Sequence, residues 1–268
     1  MAKLKKKYFY IDEGGDSSFF AKRKKLLVGT QGFQPMLNLG MIGLEDKVTL
    51  HKAVSDFMQG LKADPLYNSI HSLSQPNWFL HACKDHPEVR AKFFEYLRTL
   101  DGFKSYVVVG RKRLSTFKNK HNNNEREFYF DLVYHLLKDR LNDENVSYKI
   151  FLSARQRSTQ KFLGEAIAKA IERDNDRRKV PKDIKYKFDI VRSQDTPILS
   201  IVDYLLWALH RLIINKEVRF YNALKDKFNL IIDLYDFNNY GNGNSNYYHR
   251  KNQFTLEKAS EFRSDGYI

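Results

Sequence analysis

The sequence has few of the residues on which several protein classes depend. Its one cysteine, Cys83, excludes a disulfide framework and a cysteine-rich zinc module, and it favours a reducing compartment. Six prolines and 13 glycines among 268 residues exclude collagen-like and mucin-like chains. No apolar run approaches the ~18 residues of a membrane span, and the short apolar run after the basic start ends in acids, unlike a signal peptide. We therefore expect a globular protein of the cytoplasm with no membrane association.

Acidic residues are also in short supply, with 32 Asp and Glu against 46 Lys and Arg, a formal charge of +14. The excess lies in residues 1–25, with a net charge of +5, and in residues 104–192, with a net charge of +10. Such a surface favours a polyanion, so nucleic acid, DNA or RNA, is the expected partner, although a basic surface without a ligand is the alternative. The candidate nucleic-acid-binding residues are Lys24, Lys25, Arg111, Lys112, Arg113, Arg155 and Arg157.

Hydrophobic residues make up 42% of the chain and aromatic residues 14%, which excludes a disordered protein. Their spacing predicts three strands first, a meander over residues 4–11, 24–30 and 36–44, and then alternating helices and strands. This order predicts an α/β fold with a mixed central sheet flanked by helices. The predicted helices span 47–61, 87–100, 125–141, 158–172, 197–214 and 218–224, and the later strands span 105–109, 146–152, 184–191 and 228–234.

One domain is expected over residues 1–236, with a helical insertion around 62–100. The Asn- and Gly-rich stretch Asn238–Asn246 predicts a flexible loop, so residues 237–268 are expected to form a loop and an appended C-terminal tail.

Two carboxylates stand out from their surroundings. Asp12 ends the first predicted strand and precedes Gly14 and Gly15, where a ligand can approach the backbone closely, although an ordinary turn would use the same residues. Asp203 lies in PILSIVDYLLWALHRLII, a helix that is apolar nearly all round. A buried carboxylate is costly unless it is paired, for instance with His210 or an arginine, or binds a metal. Both residues are therefore candidates for a site.

Two oxygen ligands of this kind suit Mg²⁺ or Mn²⁺ as cofactor. Such ions activate water and stabilise the leaving oxygen in phosphodiester cleavage. Asp12 and Asp203 are the candidate catalytic residues and metal ligands, with Glu13 as a further ligand and Glu125 as a further catalytic acid. The alternative for Glu125 is favourable charge at a helix N-terminus.

Four segments resemble a known family. They are YFYIDEGGDSSFFAKRKKLLVGTQGF, FLHACKDHPEVRAKFFEYL, PILSIVDYLLWALHRLIINKEVRF and FNLIIDLYD, which together cover roughly residues 7–236. In order, they resemble the bacterial proteins grouped as domain of unknown function 3800. The resemblance implies a ribonuclease H-like fold, in which acids on the first strand and on a late helix gather around divalent metals to cut nucleic acid. Asp12 and Asp203 match those two positions.

The sequence departs from the family pattern at three places. Gly14 replaces a serine, Ser200 replaces a glutamine, and the end of the central strand reads Val109-Gly110-Arg111-Lys112 where many relatives of the fold carry another acid. A metal-dependent nuclease is therefore the first expectation. A non-catalytic nucleic-acid-binding or assembly subunit on a degenerate fold is the alternative. A protein-interaction role, with a protein partner or homo-oligomer contacting the loop and tail, is a third.

Overall fold

The computed structural model describes residues 4–154 and 159–261, and its centre is one seven-stranded mixed sheet. The strands are β1 Lys5–Gly15, β2 Met36–Leu44, β3 Phe103–Arg111, β4 Val146–Ser153, β5 Lys185–Val191, β6 Phe228–Leu234 and β7 Tyr247–Tyr248. Their order across the sheet is β5-β4-β1-β2-β3-β6-β7. β2 is antiparallel to β1 and β3, β7 is antiparallel to β6, and the pairs β1–β4, β4–β5 and β3–β6 are parallel. The expected mixed α/β architecture is confirmed.

Helices cover the sheet from both sides because strand side chains alternate between two apolar cores. Phe9 and Ile11 of β1 join the core shared with α4 and α5, whereas Tyr10 joins the core shared with α1, α2, α6 and α7. We call these the α4 face and the α6 face of the sheet. The helices are α1 Lys47–Ala63, α2 Pro87–Thr99, α3 Leu114–Asn119, α4 Glu125–Leu137, α5 Gln160–Asp176, α6 Leu199–Asn215, α7 Val218–Leu224 and α8 Phe237–Gly241. In the described part of the chain, no helix has the length and apolar character that a membrane crossing requires.

The strand expected over residues 24–30 is wrong. Lys22–Lys24 form a short 3₁₀ turn, and Arg23 and Lys24 have φ angles of 62° and 57°, in the left-handed region that an extended strand does not use. The meander therefore consists of β1, β2 and β3, and its third strand follows α1 and α2 in the chain. All four residues from Lys22 to Lys25 are exposed, so no apolar face holds them against the sheet.

The region after residue 236 also differs from the expectation of a flexible loop and appended tail. Its described part, residues 237–261, contains α8 and β7 and packs against the α6 face. Tyr248 and Phe254 are buried in that core. Both lie beyond the Asn- and Gly-rich stretch 238–246, and together they hold the segment on the domain.

Gly40 of β2 lets α6 lie directly on the sheet. A Cβ atom at this position would lie 2.8 Å from Leu206 Cγ and 2.9 Å from Val202 Cγ1. Gly40 pairs with Asp12 across β1 and β2, so this close contact sets the distance between α6 and the strand that carries Asp12.

We predict that Gly40→Ala lowers the free energy of unfolding by about 1–3 kcal/mol, because the added methyl overpacks the contact with α6. Gly60→Ala is the matched control, since a Cβ there meets nothing within 4 Å. On α1, that change should instead raise stability by about 0.5–1 kcal/mol. Urea denaturation measures both, and a Gly40→Ala protein as stable as wild type would contradict the close packing.

Candidate active site

A cleft of about 600 Å³ opens at the carboxyl end of β1. Asp12 from β1 and Asp203 from α6 both line it, although they are far apart in the sequence. The parallel pairing of β1 with β4 ends at Ile11 and Leu152, and the next residue of each strand, Asp12 and Ser153, lines the cleft. Other lining residues include His81, Lys84, Ser153, Ser193, His210 and Arg211. The structure thus brings together the two acids that the sequence singled out.

Asp203 holds a segment of irregular chain over the cleft. Its Oδ2 accepts a hydrogen bond from the backbone N–H of Ala82 at 2.7 Å, and one turn earlier Ser200 Oγ donates to the carbonyl of Leu80 at 2.9 Å. His81, between these two anchored residues, places its Nδ1 3.7 Å from Asp203 Oδ2. Asp203 is therefore hydrogen-bonded to the same backbone segment that places the His81 imidazole in the cleft.

Asp85 fixes the other end of the same segment. Its Oδ2 accepts hydrogen bonds from Tyr204 Oη at 2.6 Å and from the backbone N–H of His81 at 2.8 Å. Burial raises the pKa of Asp85, and these hydrogen bonds oppose the shift. Arg90 donates to the carbonyl of Asp85 at 2.7 Å and stacks over Trp207, 4.8 Å from the ring centroid. Asp203, Tyr204 and Trp207 thus form one face of α6 that fastens residues 80–90.

His81 is the site residue that sequence reasoning missed. The spacing of His71, His81 and His86 in the sequence matches no metal-binding motif, and the neighbours of His81 in the cleft, Asp12 and Asp203, come from distant elements. Burial, together with Lys84, lowers the pKa of His81, and Asp85 and Asp12 partly oppose this. The lowered pKa favours the neutral form of the imidazole. The sequence signal that could have singled it out is its place in FLHACKDHPEVRAKFFEYL, one of the four segments that carry the resemblance.

Glu125 is not brought to the cleft, which corrects its expected role as a catalytic acid. It lies on α4, and its Oε1 accepts hydrogen bonds from the backbone N–H groups of Phe19 at 2.8 Å and Phe20 at 3.4 Å. Glu13 borders the cleft, but its Oε1 accepts a hydrogen bond from Tyr129 Oη of α4 at 2.7 Å. Successive residues of β1 point to opposite faces, so this carboxylate faces away from Asp12.

The donors fit one divalent cation only in part. Among the described residues, no group of three or more His, Cys, Asp or Glu side chains is arranged to hold a metal. Mg²⁺, however, is commonly bound through one or two carboxylates together with waters and substrate phosphates. Asp12 and Asp203 supply two carboxylates to one open cleft, and they are the residues that would hold Mg²⁺ or Mn²⁺.

Two of the candidate nucleic-acid-binding residues are buried instead of lying on the surface. Arg111 is 0% exposed and donates from Nε and Nη2 to the two carboxylate oxygens of Asp233, at 2.8 and 2.7 Å. Its Nη2 also lies 3.3 Å from Asp236 Oδ2 and donates to the carbonyl of Ser260 at 2.8 Å. This corrects the expectation for Arg111, which joins β3 to β6 and the C-terminal segment.

Lys112 is 1% exposed, so it too is a structural residue. Its Nζ donates to the carbonyl of Ser18 at 3.0 Å and lies 4.9 Å from the ring centroid of Phe33. Burial lowers the pKa of Lys112 to about 8. A side chain enclosed in this way cannot reach a phosphate, which corrects the second assignment.

The remaining candidates divide into three groups. Lys24 and Lys25 are exposed and available to a polyanion. Arg113 is half-buried, donates to the carbonyl of Tyr235 at 3.3 Å and stacks on Phe237. Arg155 and Arg157 lie outside the described residues.

Comparison with known proteins does not add a family assignment. No protein-family model matches the sequence, and no curated protein matches it either. Function is inferred below from the cleft and the surface around it.

Proposed function

We propose that this protein is a divalent-metal-dependent nuclease that cleaves phosphodiester bonds of nucleic acid in the cleft at the end of β1. The observation that carries the proposal is that Asp12 of strand β1 and Asp203 of the buried helix α6 both line one open cleft. Carboxylates in such a place carry a desolvation cost that a bound cation offsets.

The proposal includes a ribonuclease H-like fold. Its support is the antiparallel meander β1–β2–β3, followed by β4 and β5 parallel to β1, with one acid on the first strand and the other on a late helix. Fold likeness alone is a weak guide to activity, so the residues of the cleft carry the functional part.

Each residue of the cleft would have a separate role in the cleavage reaction. A bound Mg²⁺ or Mn²⁺ would supply a Lewis acid that polarises the phosphoryl oxygen and lowers the pKa of water. Asp12 and Asp203 would bind it. His81, neutral and beside Asp203, is placed to accept a proton from the attacking water, and the exposed Lys84 at the rim offers positive charge to the phosphate.

The alternative is a nucleic-acid-binding subunit without catalysis. The observation in its favour is that Glu13 and Glu125 are both engaged on the α4 face and that Arg111 occupies the end of β3 where an acid is common. On this alternative, nucleic acid would bind with strong salt dependence, and the binding would survive the loss of either aspartate.

The deciding experiment incubates the full chain with single- and double-stranded DNA and RNA in Mg²⁺, in Mn²⁺ and in EDTA. We expect cleavage with metal, none in EDTA and none from Asp12→Asn. Asp176→Asn, which removes the same charge from an exposed position on α5, should cleave like wild type. Equal cleavage by Asp12→Asn and wild type would refute the proposal. Binding without cleavage by any of the proteins would establish the alternative.

A further inference from the structure

In the described part of the chain, the β4–β5 end of the α6 face is open to solvent. Along β5 the residues that point to this face, Lys185, Lys187 and Asp189, are exposed, whereas the intervening Tyr186 and Phe188 are half-buried against α5. Beside them on β4, Lys149 and Phe151 are half-buried, while their neighbours Tyr148 and Ile150 are buried on the α4 face. The helices of the α6 face therefore leave the β4–β5 edge uncovered.

This surface carries three aromatic side chains, two lysines and one aspartate. The register places Tyr8, Lys149 and Lys187 in one row across β1, β4 and β5, and Tyr10, Phe151 and Asp189 in the next row. We call these six residues the open sheet face. Phe151 stacks on Tyr10 with ring centroids 4.9 Å apart. Tyr10 is buried, whereas Tyr8 and Phe151 are half-buried and so offer partly exposed rings.

A groove beside the open sheet face is also lined by aromatic and basic side chains. Its volume is about 620 Å³, and its lining includes Tyr10 together with Lys47, His51 and Lys52 of α1. Lys47 Nζ lies 5.4 Å from the ring centroid of Tyr8 and 6.0 Å from that of Phe151. Among the described residues, Lys47, Lys149 and Lys187 take part in no ion pair with an acid, so their charges remain available to a ligand.

The open sheet face leads to the cleft. Two residues beyond Phe151, Ser153 lines the cleft, and two residues beyond Tyr10 is Asp12. The row that contains Lys149 lies four residues back along the strands from Asp12, about 13 Å at the usual rise of a strand. A ligand on this surface would therefore run directly to the two aspartates.

We infer that the open sheet face binds single-stranded nucleic acid, with bases stacked on Tyr8 and Phe151 and phosphates against Lys149 and Lys187. Basic grooves with accessible aromatic rings bind single strands in this way, because each unpaired base offers a π-face. A duplex keeps its bases stacked inside, so its phosphates reach the lysines but its bases do not reach the rings. The inference rests on the proposed function in one respect, that the same strand enters the cleft.

The test measures binding of a fluorescein-labelled single strand of about 15 nucleotides, a length that covers one such site, by anisotropy. Measurements are made in EDTA, so no metal-dependent cleavage occurs. The variant Lys149→Ala/Lys187→Ala is compared with Lys104→Ala/Lys161→Ala, which removes the same charge from exposed positions on β3 and α5. Lys104 and Val108 are four residues apart on β3, so both point to the α4 face, which α5 also covers. Both control positions therefore lie on the opposite side of the sheet from the open sheet face.

We expect the first double variant to bind at least about tenfold more weakly and to lower the slope of log K against log salt by about 1.4, the value for two lost phosphate contacts on a single strand. The control should change neither quantity. Phe151→Leu, which keeps an apolar side chain, should weaken single-strand binding about tenfold through lost stacking. A duplex of the same sequence should bind more weakly than the single strand and should be insensitive to Phe151→Leu.

The inference is overturned if both double variants weaken binding equally, or if the duplex binds as tightly as the single strand. It is also overturned if the oligonucleotide does not bind. Its failure is separable from that of the nuclease proposal. Binding that needs Lys149 and Lys187 without cleavage in Mg²⁺ or Mn²⁺ supports the surface and refutes catalysis, whereas cleavage that is indifferent to both lysines supports catalysis and refutes the surface.

Discussion

Asp203→Asn is expected to lower kcat/KM for nucleic-acid cleavage by at least about 100-fold while leaving the fold intact. The amide oxygen of asparagine can still accept the hydrogen bond from Ala82 N–H, so the segment that carries His81 stays in place. What is lost is the negative charge that would bind the cation, whose stabilisation of the transition state is worth several kcal/mol. Each 1.36 kcal/mol corresponds to a factor of ten in rate.

Asp203→Ala separates this loss of charge from the loss of the hydrogen bond. It removes both, so it should cleave as poorly as Asp203→Asn but be less stable by about 1–3 kcal/mol, because the N–H of buried Ala82 loses its acceptor. Thermal unfolding and kcat/KM are measured on both proteins and on wild type. An Asp203→Asn protein that retains more than half of the activity would show that this carboxylate does not bind the cation.

Arg111→Met is expected to lower the free energy of unfolding at pH 7 by about 3–5 kcal/mol, because removing one partner of a buried ion pair leaves the other charge uncompensated. Asp233 and Asp236 are both 0% exposed, and Arg111 is the cation that both carboxylates contact. Lys24→Met, which removes the same charge at an exposed position, should change stability by no more than about 0.5 kcal/mol.

The deficit of Arg111→Met should also depend on pH. Burial raises the pKa of Asp233, and the adjacent Arg111 opposes that shift, so the pKa must rise further when the arginine is removed. A group whose pKa is raised on folding favours the folded state at low pH and loses that contribution as pH increases through the folded-state pKa. The difference between variant and wild type should therefore be smaller at about pH 4–5 than at pH 7. Denaturant titrations at both pH values measure it, and a deficit independent of pH would show that Asp233 stays ionised without Arg111.

The sequence singles out the two acids of the candidate site because each interrupts a local pattern of side chains. Asp203 interrupts an apolar helix, and Asp12 stands where a strand of alternating side chains gives way to glycines. His81 escaped because its partners, Asp12 and Asp203, approach it only after β1 and α6 have packed together through Gly40. Sequence spacing carries no information about such a contact.

The positions of charged residues in the sequence did not predict which of them lie on the surface. In the sequence, Arg111, Lys112 and Arg113 form a basic cluster. Arg111, however, points to the same face of β3 as Val107 and Val109 and is buried with them. Its partner Asp233 lies on β6, far along the chain, so the burial was not visible from the sequence near β3. Conversely, Lys149 and Lys187 lie in two strands that are far apart in the sequence. The register of β4 with β5 places these two lysines side by side.

The buried arginine also bears on how the chain reaches its final form during synthesis. β3 obtains its parallel partner only when β6 has been made, and Arg111 obtains the carbonyls of Ser260 and Glu261 later still. An emerging chain would meanwhile hold an unpaired strand edge and an unneutralised cation, as domains that depend on distant contacts do. The set of partners around Arg111 is therefore complete only after residues 260 and 261 have been synthesised.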